Sequence, residues 1–113
     1  GNLKGAIARA ESAAVFEPSN PVMHFQVGVL KFENKDYKGA EGSLKAAVAL
    51  AADYANARFY LARVYIELGQ DDAALAEFRE VLRLNPENQE IMGIVDALEN
   101  GDDPFVPAVE AKQ

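Results

Sequence analysis

Few side chains in this sequence have the type and spacing that catalysis or metal binding requires. The 113 residues include one histidine and no cysteine, so disulfide frameworks and Cys/His zinc sites are excluded. His24 stands alone, and a packing or surface role is favoured because zinc takes three or four ligands. An acidic cluster at residues 99–103, which includes Asp102 and Asp103, could collect a hard cation. It lacks the spaced oxygen ligands of a calcium loop, so a solvated turn is the favoured interpretation.

Catalytic constellations are not indicated either. The three serines, Ser12, Ser19 and Ser43, lie in no strained nucleophile turn. Gly39 and Gly42 fall inside a predicted helix, and the Gly-Lys-Ser/Thr of a phosphate loop does not follow them. Carboxylates are abundant, but the pattern predicts no apolar pocket that would separate their pKa values. The sequence therefore predicts no enzyme, no cofactor and no metal site.

The charge is distributed unevenly along the chain. The net charge is −7, of which residues 87–113 carry −6, with seven acidic side chains and one basic one. Residues 1–86 are close to neutral. Neither part offers the basic stripe that binds nucleic acid or an anionic membrane surface. No apolar run of membrane-spanning length and no secretory signal is visible, and the compartment is left open.

Two stretches related by a shift of 34 residues, 21–52 and 55–86, organise the chain. Each reads as two amphipathic helices joined by a tight turn, and a period of this size is typical of a solenoid. Apolar spacing, proline and glycine predict six helices: Asn2–Phe16, Pro21–Asn34, Tyr37–Leu50, Tyr54–Leu68, Asp71 to Leu84, and Glu87–Asn100. We expect an all-α, right-handed solenoid over residues 1–100, followed by an extended acidic tail over residues 101–113.

The second stretch resembles the tetratricopeptide repeat family in Leu61, Ala62, Tyr65, Gly69, Ala74, Phe78 and Pro86. Arg58 stands where the family has its first aromatic residue. The first stretch matches in Val27, Gly28, Tyr37, Ala40, Leu44 and Ala47, and departs at Lys31, Lys35 and Ala52. Residues 2–18 match half a unit. The resemblance implies two and a half repeats and a capping helix over residues 87–100.

The same resemblance implies a concave groove that binds a peptide or protein segment. Carried over by position, the groove residues are Val22, Phe25, Val29, Phe32, Glu33, Asn56, Phe59, Arg63, Ile66 and Glu67. A family subclass grips a C-terminal carboxylate with Lys, Asn and Arg, but Phe25, Val29 and Phe59 occupy those places. The apolar side chains could instead be core. The groove is favoured because Val27, Gly28, Leu61 and Ala62 already supply the packing between helices.

The predicted function is therefore a protein-interaction module that binds a segment of another protein in an apolar groove. Two alternatives are a soluble C-terminal domain cut from a larger enzyme or membrane protein, and a self-assembling structural repeat protein. The half repeat leaves Leu3, Ile7 and Ala10 partly uncovered, which predicts weak self-association through that surface.

The sequence of the tail, residues 101–113, predicts a contact made by its aromatic residue. Phe105, Val106 and Val109 lie between prolines, and Arg63 could pair with Asp102, Asp103 or Glu110. We expect Phe105 to be buried against an apolar surface, in a concave groove of its own or of another molecule. A short, proline-bearing, acidic and aromatic peptide would then be the ligand class.

Overall fold

Six α-helices follow one another in the computed structural model, which describes residues 2–105. Their bounds are α1 Asn2–Phe16, α2 Pro21–Glu33, α3 Tyr37–Leu50, α4 Ala55–Glu67, α5 Asp71–Leu84 and α6 Gln89–Glu99. The described chain is all-α, as the periodicity predicts. Helices α2, α4 and α6 differ from the predicted bounds by one or two residues, within the range over which helix ends fray.

Side-chain caps account for where three of the helices begin. The side chain of Asn20 accepts a hydrogen bond of 3.0 Å from the Val22 amide, and Pro21 fills the first position of α2. Asp36 caps α3 in the same way. Asn88 accepts a hydrogen bond of 3.1 Å from the Ile91 amide, so α6 starts two residues later than predicted.

Consecutive helices pack as antiparallel pairs, and the pairs then stack. Every helix contacts its successor, and α2 also contacts α4 directly. Within residues 2–105, the backbones of α1 and α3, and of α3 and α5, do not approach one another. Helices α2 and α4 therefore form the inner layer of a solenoid, and α1, α3 and α5 form the outer layer.

The core lies between the two complete repeats and α6. Phe78, Leu44 and Val64 are its largest fully buried side chains, and the motif residues Leu61, Ala62 and Ala74 are buried with them. The apolar stripe of α6 buries Ile91, Ile94 and Val95, while Glu90 and Gly93 stay exposed. At the other end, α1 buries no residue completely. The structure is thus well closed by α6 and open along α1.

Two positions that are aromatic in the resembled family, 58 and 31, carry charged side chains here. Both side chains bridge neighbouring helices. Arg58 donates to the Ala52 carbonyl at 2.6 Å and to Glu77 at 2.8 Å, which ties α4 to the preceding loop and to α5. Lys31 pairs with Glu11 at 3.2 Å and links α2 to α1. At these two positions the charged side chain therefore keeps a link between neighbouring helices.

None of the six helices described between residues 2 and 105 combines the length and the apolar character needed to cross a bilayer.

Candidate functional site: the inner face of α2 and α4

Aromatic rings cover the inner face in an unbroken row. The Phe25 ring lies 5.0 Å from Tyr54 and 5.8 Å from Tyr60, and the Tyr60 ring lies 5.9 Å from Phe32. Their tilted and edge-on geometry is the arrangement that aromatic quadrupoles favour. Burial against Phe25 and its neighbours raises the pKa of the Tyr54 phenol, because the charged form would lose its hydration. The row fixes the relative positions of α2 and α4.

An apolar depression opens beside this row. Its volume is about 340 Å³ and its lining is Phe25, Gln26, Val29, Leu30 and Tyr60. We call it the α2–α4 pocket. Val29 and Phe25 are half-buried, so their outer sides are accessible from solvent. Such a concave apolar surface with few polar groups is the usual character of a binding site.

Arg63 lies at the other end of the row, between two aromatic rings. Its guanidinium carbon is 5.1 Å from the centre of the Phe32 ring and 5.0 Å from that of Phe105. Both distances are within the range of a cation–π contact. No carboxylate or carbonyl among residues 2–105 accepts a hydrogen bond from this guanidinium, although Glu67 follows it by one helical turn. The guanidinium therefore contacts two aromatic rings and has no hydrogen-bond acceptor among residues 2–105.

A second opening separates α4 from α6, whose backbones do not touch. Asn56 and Phe59 line it together with Ile91 and Glu90 of α6, around a volume of about 210 Å³. Phe59 also packs edge-on against the buried Phe78, at 5.7 Å between ring centres. Phe59 therefore belongs partly to the core and partly to the inner surface.

The structure separates the ten predicted groove residues into distinct places. Phe25 and Val29 line the α2–α4 pocket. Phe32 and Arg63 form a cation–π contact. Asn56 and Phe59 line the opening between α4 and α6. Ile66 lines a further depression beside Leu98 and residues 101–104. Val22, Glu33 and Glu67 are exposed and line none of these depressions.

Sequence reasoning missed three side chains of this face. Gln26, Leu30 and Tyr60 line the α2–α4 pocket. Helical spacing could have identified Tyr60, which lies three residues before Arg63. Sequence reasoning expected Phe105 in a concave groove but paired Arg63 with acidic residues of the tail, whereas Arg63 contacts the Phe105 ring itself.

The prediction that Phe105 is buried is wrong. The residue is 41% exposed, although its ring lies 6.3 Å from that of the buried Phe78. Arg63 contacts the Phe105 ring and does not pair with Asp102 or Asp103. The predicted ligand class depended on burial of Phe105 and falls with it. Val106, Val109 and Glu110 lie outside the described residues.

The acidic residues near α6 have other partners. Glu99 pairs with Arg79 at 2.7 Å, and Asp103 accepts a hydrogen bond from the Phe105 amide at 2.9 Å. Residues 103–105 therefore form a turn rather than an extended segment. His24 donates from Nε2 to the Pro18 carbonyl at 2.8 Å, which is a packing role. In the described part of the chain, no three acidic or histidine side chains come together as metal ligands.

Paired helices with one shared inner face define a helical-repeat solenoid. The chain belongs to the tetratricopeptide repeat family, whose pattern it matches over residues 31–95. Repeats of this family generally mediate protein–protein interaction and are generally not enzymes.

Two curated relatives match the chain over much of its length. Over 79 residues, or 70% of its length, this chain is 33% identical to Protein O-mannosyl-transferase TMTC3 of Homo sapiens. Over 90 residues, or 80% of its length, it is 27% identical to DnaJ homolog subfamily C member 3 of Mus musculus. The matched parts span only 8% and 18% of these two relatives.

A solved structure of similar size is the first tetratricopeptide repeat domain of Spaghetti (RPAP3) bound to the HSP90 peptide SRMEEVD. The two folds superpose with a TM-score of 0.83 at 25% identity, over 89% of this chain and 80% of the other.

Proposed function

We propose that the inner face of α2 and α4 binds a short segment of another protein. The observation that carries this proposal is the α2–α4 pocket, which leaves apolar and aromatic side chains accessible on the concave side. Apolar side chains of a partner would lose water contact there, at about 25 cal/mol per Å² of apolar surface buried. The ten groove residues predicted from the family pattern, together with Gln26, Leu30 and Tyr60, are the proposed contact surface.

Two further facts support this proposal. Family membership places the chain among repeats that generally bind proteins. The similar domain of Spaghetti (RPAP3) was solved with a bound peptide, which makes a peptide the first ligand class to test here.

Selection of a random linear heptapeptide library on the immobilised chain tests the proposal. We expect the wild type to enrich a set of related peptides that Val29→Glu does not retain, because a carboxylate in the α2–α4 pocket opposes apolar burial. Ala49→Glu is the matched control, since Ala49 is exposed on the outer helix α3. Melting of each variant followed by circular dichroism verifies the fold. Enrichment of the same peptides by Val29→Glu, or of none by the wild type, would contradict the proposal.

A further inference from the structure

We propose that one edge of the solenoid binds an amphipathic helix of another protein that carries Lys or Arg beside its apolar stripe. The edge is formed by the turns that lead from one repeat to the next, residues 15–22, 49–54 and 84–88, and we call it the inter-repeat edge. This inference goes beyond the function proposed above, because the α2–α4 pocket takes no part in it.

Exposed apolar side chains are concentrated at the inter-repeat edge. Among residues 2–105, five large apolar residues are exposed, and four of them lie here. Val15 and Phe16 end α1, and Leu50 ends α3. Val22, in the first turn of α2, lies where this edge adjoins the inner face. Single apolar residues are ordinary on a protein surface, whereas an apolar patch with a polar border marks an interaction site.

Antiparallel packing brings these residues to the same end of the helices. Helices α2 and α3 have 13 and 14 residues and are joined by a short turn at their far ends, so α3 ends level with the start of α2. The turn between α1 and α2 is tight, because the Asn20 amide donates to the Glu17 carbonyl at 3.0 Å. Phe16 and Val22 therefore flank one turn, and Leu50 lies at the neighbouring one.

The repeat places an apolar side chain in each successive turn of this edge. Phe16, Leu50 and Leu84 occupy the same repeat position, 34 residues apart. Phe16 is 87% exposed, Leu50 is 45% exposed and Leu84 is half-buried. A partner with several apolar residues in a row can therefore contact more than one turn, and its strongest contact would be at Phe16.

Acidic side chains border the apolar ones. Glu17 and Asp53 lie in the first two turns, and both are exposed. Neither forms an ion pair within residues 2–105. Residues 15–22 and 49–57 contain no Lys or Arg, and the next basic residue, Arg58, is already paired with a carboxylate of α5. The edge thus combines exposed apolar surface with a negative charge.

This combination selects the kind of partner. A second copy that met the edge with its own would bring like charges together, and an anionic membrane or a nucleic acid would be repelled as well. A helix with Lys or Arg beside an apolar stripe gains from both features of the edge. Such a helix presents the two kinds of side chain in parallel rows, as the successive turns do.

Fluorescence anisotropy with a labelled model helix tests the inference. The probe is a peptide of about 18 residues with a stripe of Leu and with Lys beside it, long enough to form a helix. Its two counterparts carry Glu in place of Lys, or Ser in place of Leu. We expect the full chain to bind the Lys/Leu peptide at least about tenfold more tightly than either counterpart, because each lacks one of the two features. Failure to distinguish the three peptides overturns the inference.

Substitution of the apolar residues locates the contact. Phe16→Ser combined with Leu50→Ser should weaken binding of the Lys/Leu peptide about tenfold or more. Val29→Ser makes the same kind of change in the α2–α4 pocket and is the comparison. A larger loss in Val29→Ser than in the edge pair would place the peptide on the inner face and overturn the inference. Self-association of the wild type that the edge pair abolishes would assign the edge to a second copy, with the same consequence.

Substitution of the acidic residues separates a specific contact from attraction to the net charge. Glu17→Gln combined with Asp53→Asn should weaken binding about two- to tenfold. Asp71→Asn combined with Asp72→Asn is the matched control, because it removes the same charge from exposed residues at the start of α5, at the opposite edge. Circular dichroism verifies the fold of every variant. Equal losses in the two acidic pairs would show that only the net charge matters, and would overturn the inference.

Discussion

Gly28 of α2 lies so close to Leu44 of α3 that a Cβ atom on Gly28 would stand 2.6 Å from Leu44 Cγ. Leu44 is fully buried and has no room to move away. The glycine therefore offsets its cost within a helix by allowing α2 and α3 to approach closely. The sequence analysis assigned Gly28 to the packing between helices, and the geometry confirms that assignment.

Alanine at Gly28 should consequently destabilise the protein. Overpacking of a closed contact predicts a loss of about 1–3 kcal/mol in the free energy of unfolding by urea. The control is Gly42→Ala in α3, where a Cβ meets nothing within 4 Å. That variant should gain about 0.5–1 kcal/mol, since alanine favours a helix over glycine. A Gly28→Ala variant as stable as Gly42→Ala would exclude the close approach.

The bridge made by Arg58 predicts a second pair of outcomes. Arg58→Met leaves Glu77 and the Ala52 carbonyl without their donor in a partly buried place, so we expect a loss of about 1–3 kcal/mol. Arg58→Met combined with Glu77→Leu should recover most of it, because two apolar groups leave no unpaired charge.

Arg79→Met serves as the comparison in the same urea experiments. Its pair with Glu99 is exposed on both sides, with side-chain exposures of 56% and 43%, and should contribute less than about 1 kcal/mol. If Arg58→Met and Arg79→Met cost the same, the Arg58 bridge contributes nothing specific.

Ala62 lies on the packed side of α4, and Asn56 lies on its accessible side. Ala62 is fully buried and Asn56 is exposed at the α4–α6 opening. Ala62→Leu should cost about 1–3 kcal/mol through overpacking, whereas Asn56→Ala should change the stability by less than about 0.5 kcal/mol. Equal shifts of the two urea midpoints would mean that the faces of α4 are misassigned.

Positions of the helices could be predicted from the sequence because local chemistry marks their ends. Pro21, Gly69 and the 34-residue period define the turns independently of any contact in the fold. The start of α6 was predicted two residues early because the side chain of Asn88 supplies the capping oxygen, so Glu87 and Asn88 precede the first turn of the helix.

Details of the inner face could be predicted only in part. Repeat spacing identified Phe25, Val29 and Arg63, because positions in a periodic helix share a face. It could not show that Arg63 stacks between two rings, since side-chain rotamers and the path of residues 101–105 depend on packing between α4, α5 and α6. The exposure of Phe105 was mispredicted for the same reason.

Self-association through α1 stays a prediction. Leu3, Ile7 and Ala10 are half-buried, and Val15 and Phe16 at the end of α1 are 78% and 87% exposed. Sedimentation at increasing concentration should show weak dimerisation that Ile7→Glu abolishes, because a charge opposes apolar contact between copies. A wild type that remains monomeric at high concentration would contradict this expectation.

Lys35 and Gly69 occupy the same turn position in the two repeats, 34 residues apart, and both have a positive φ, of 62° and 73°. The hydrogen bonds around them correspond: the amides of Lys35 and Gly69 donate to the carbonyls of Phe32 and Ile66, each at 3.0 Å.

A left-handed conformation costs a side-chain-bearing residue roughly 1–2 kcal/mol and glycine almost nothing. Lys35→Gly should therefore raise the free energy of unfolding by about 0.5–1 kcal/mol, after the greater entropy of glycine in the unfolded chain is subtracted. Gly69→Ala should lower it by about 1 kcal/mol, even though a Cβ there meets no neighbour within 4 Å. Urea unfolding of the two variants, with Gly42→Ala as the helical reference, measures both effects. Two shifts of the same sign would show that backbone strain does not decide the stability of these turns.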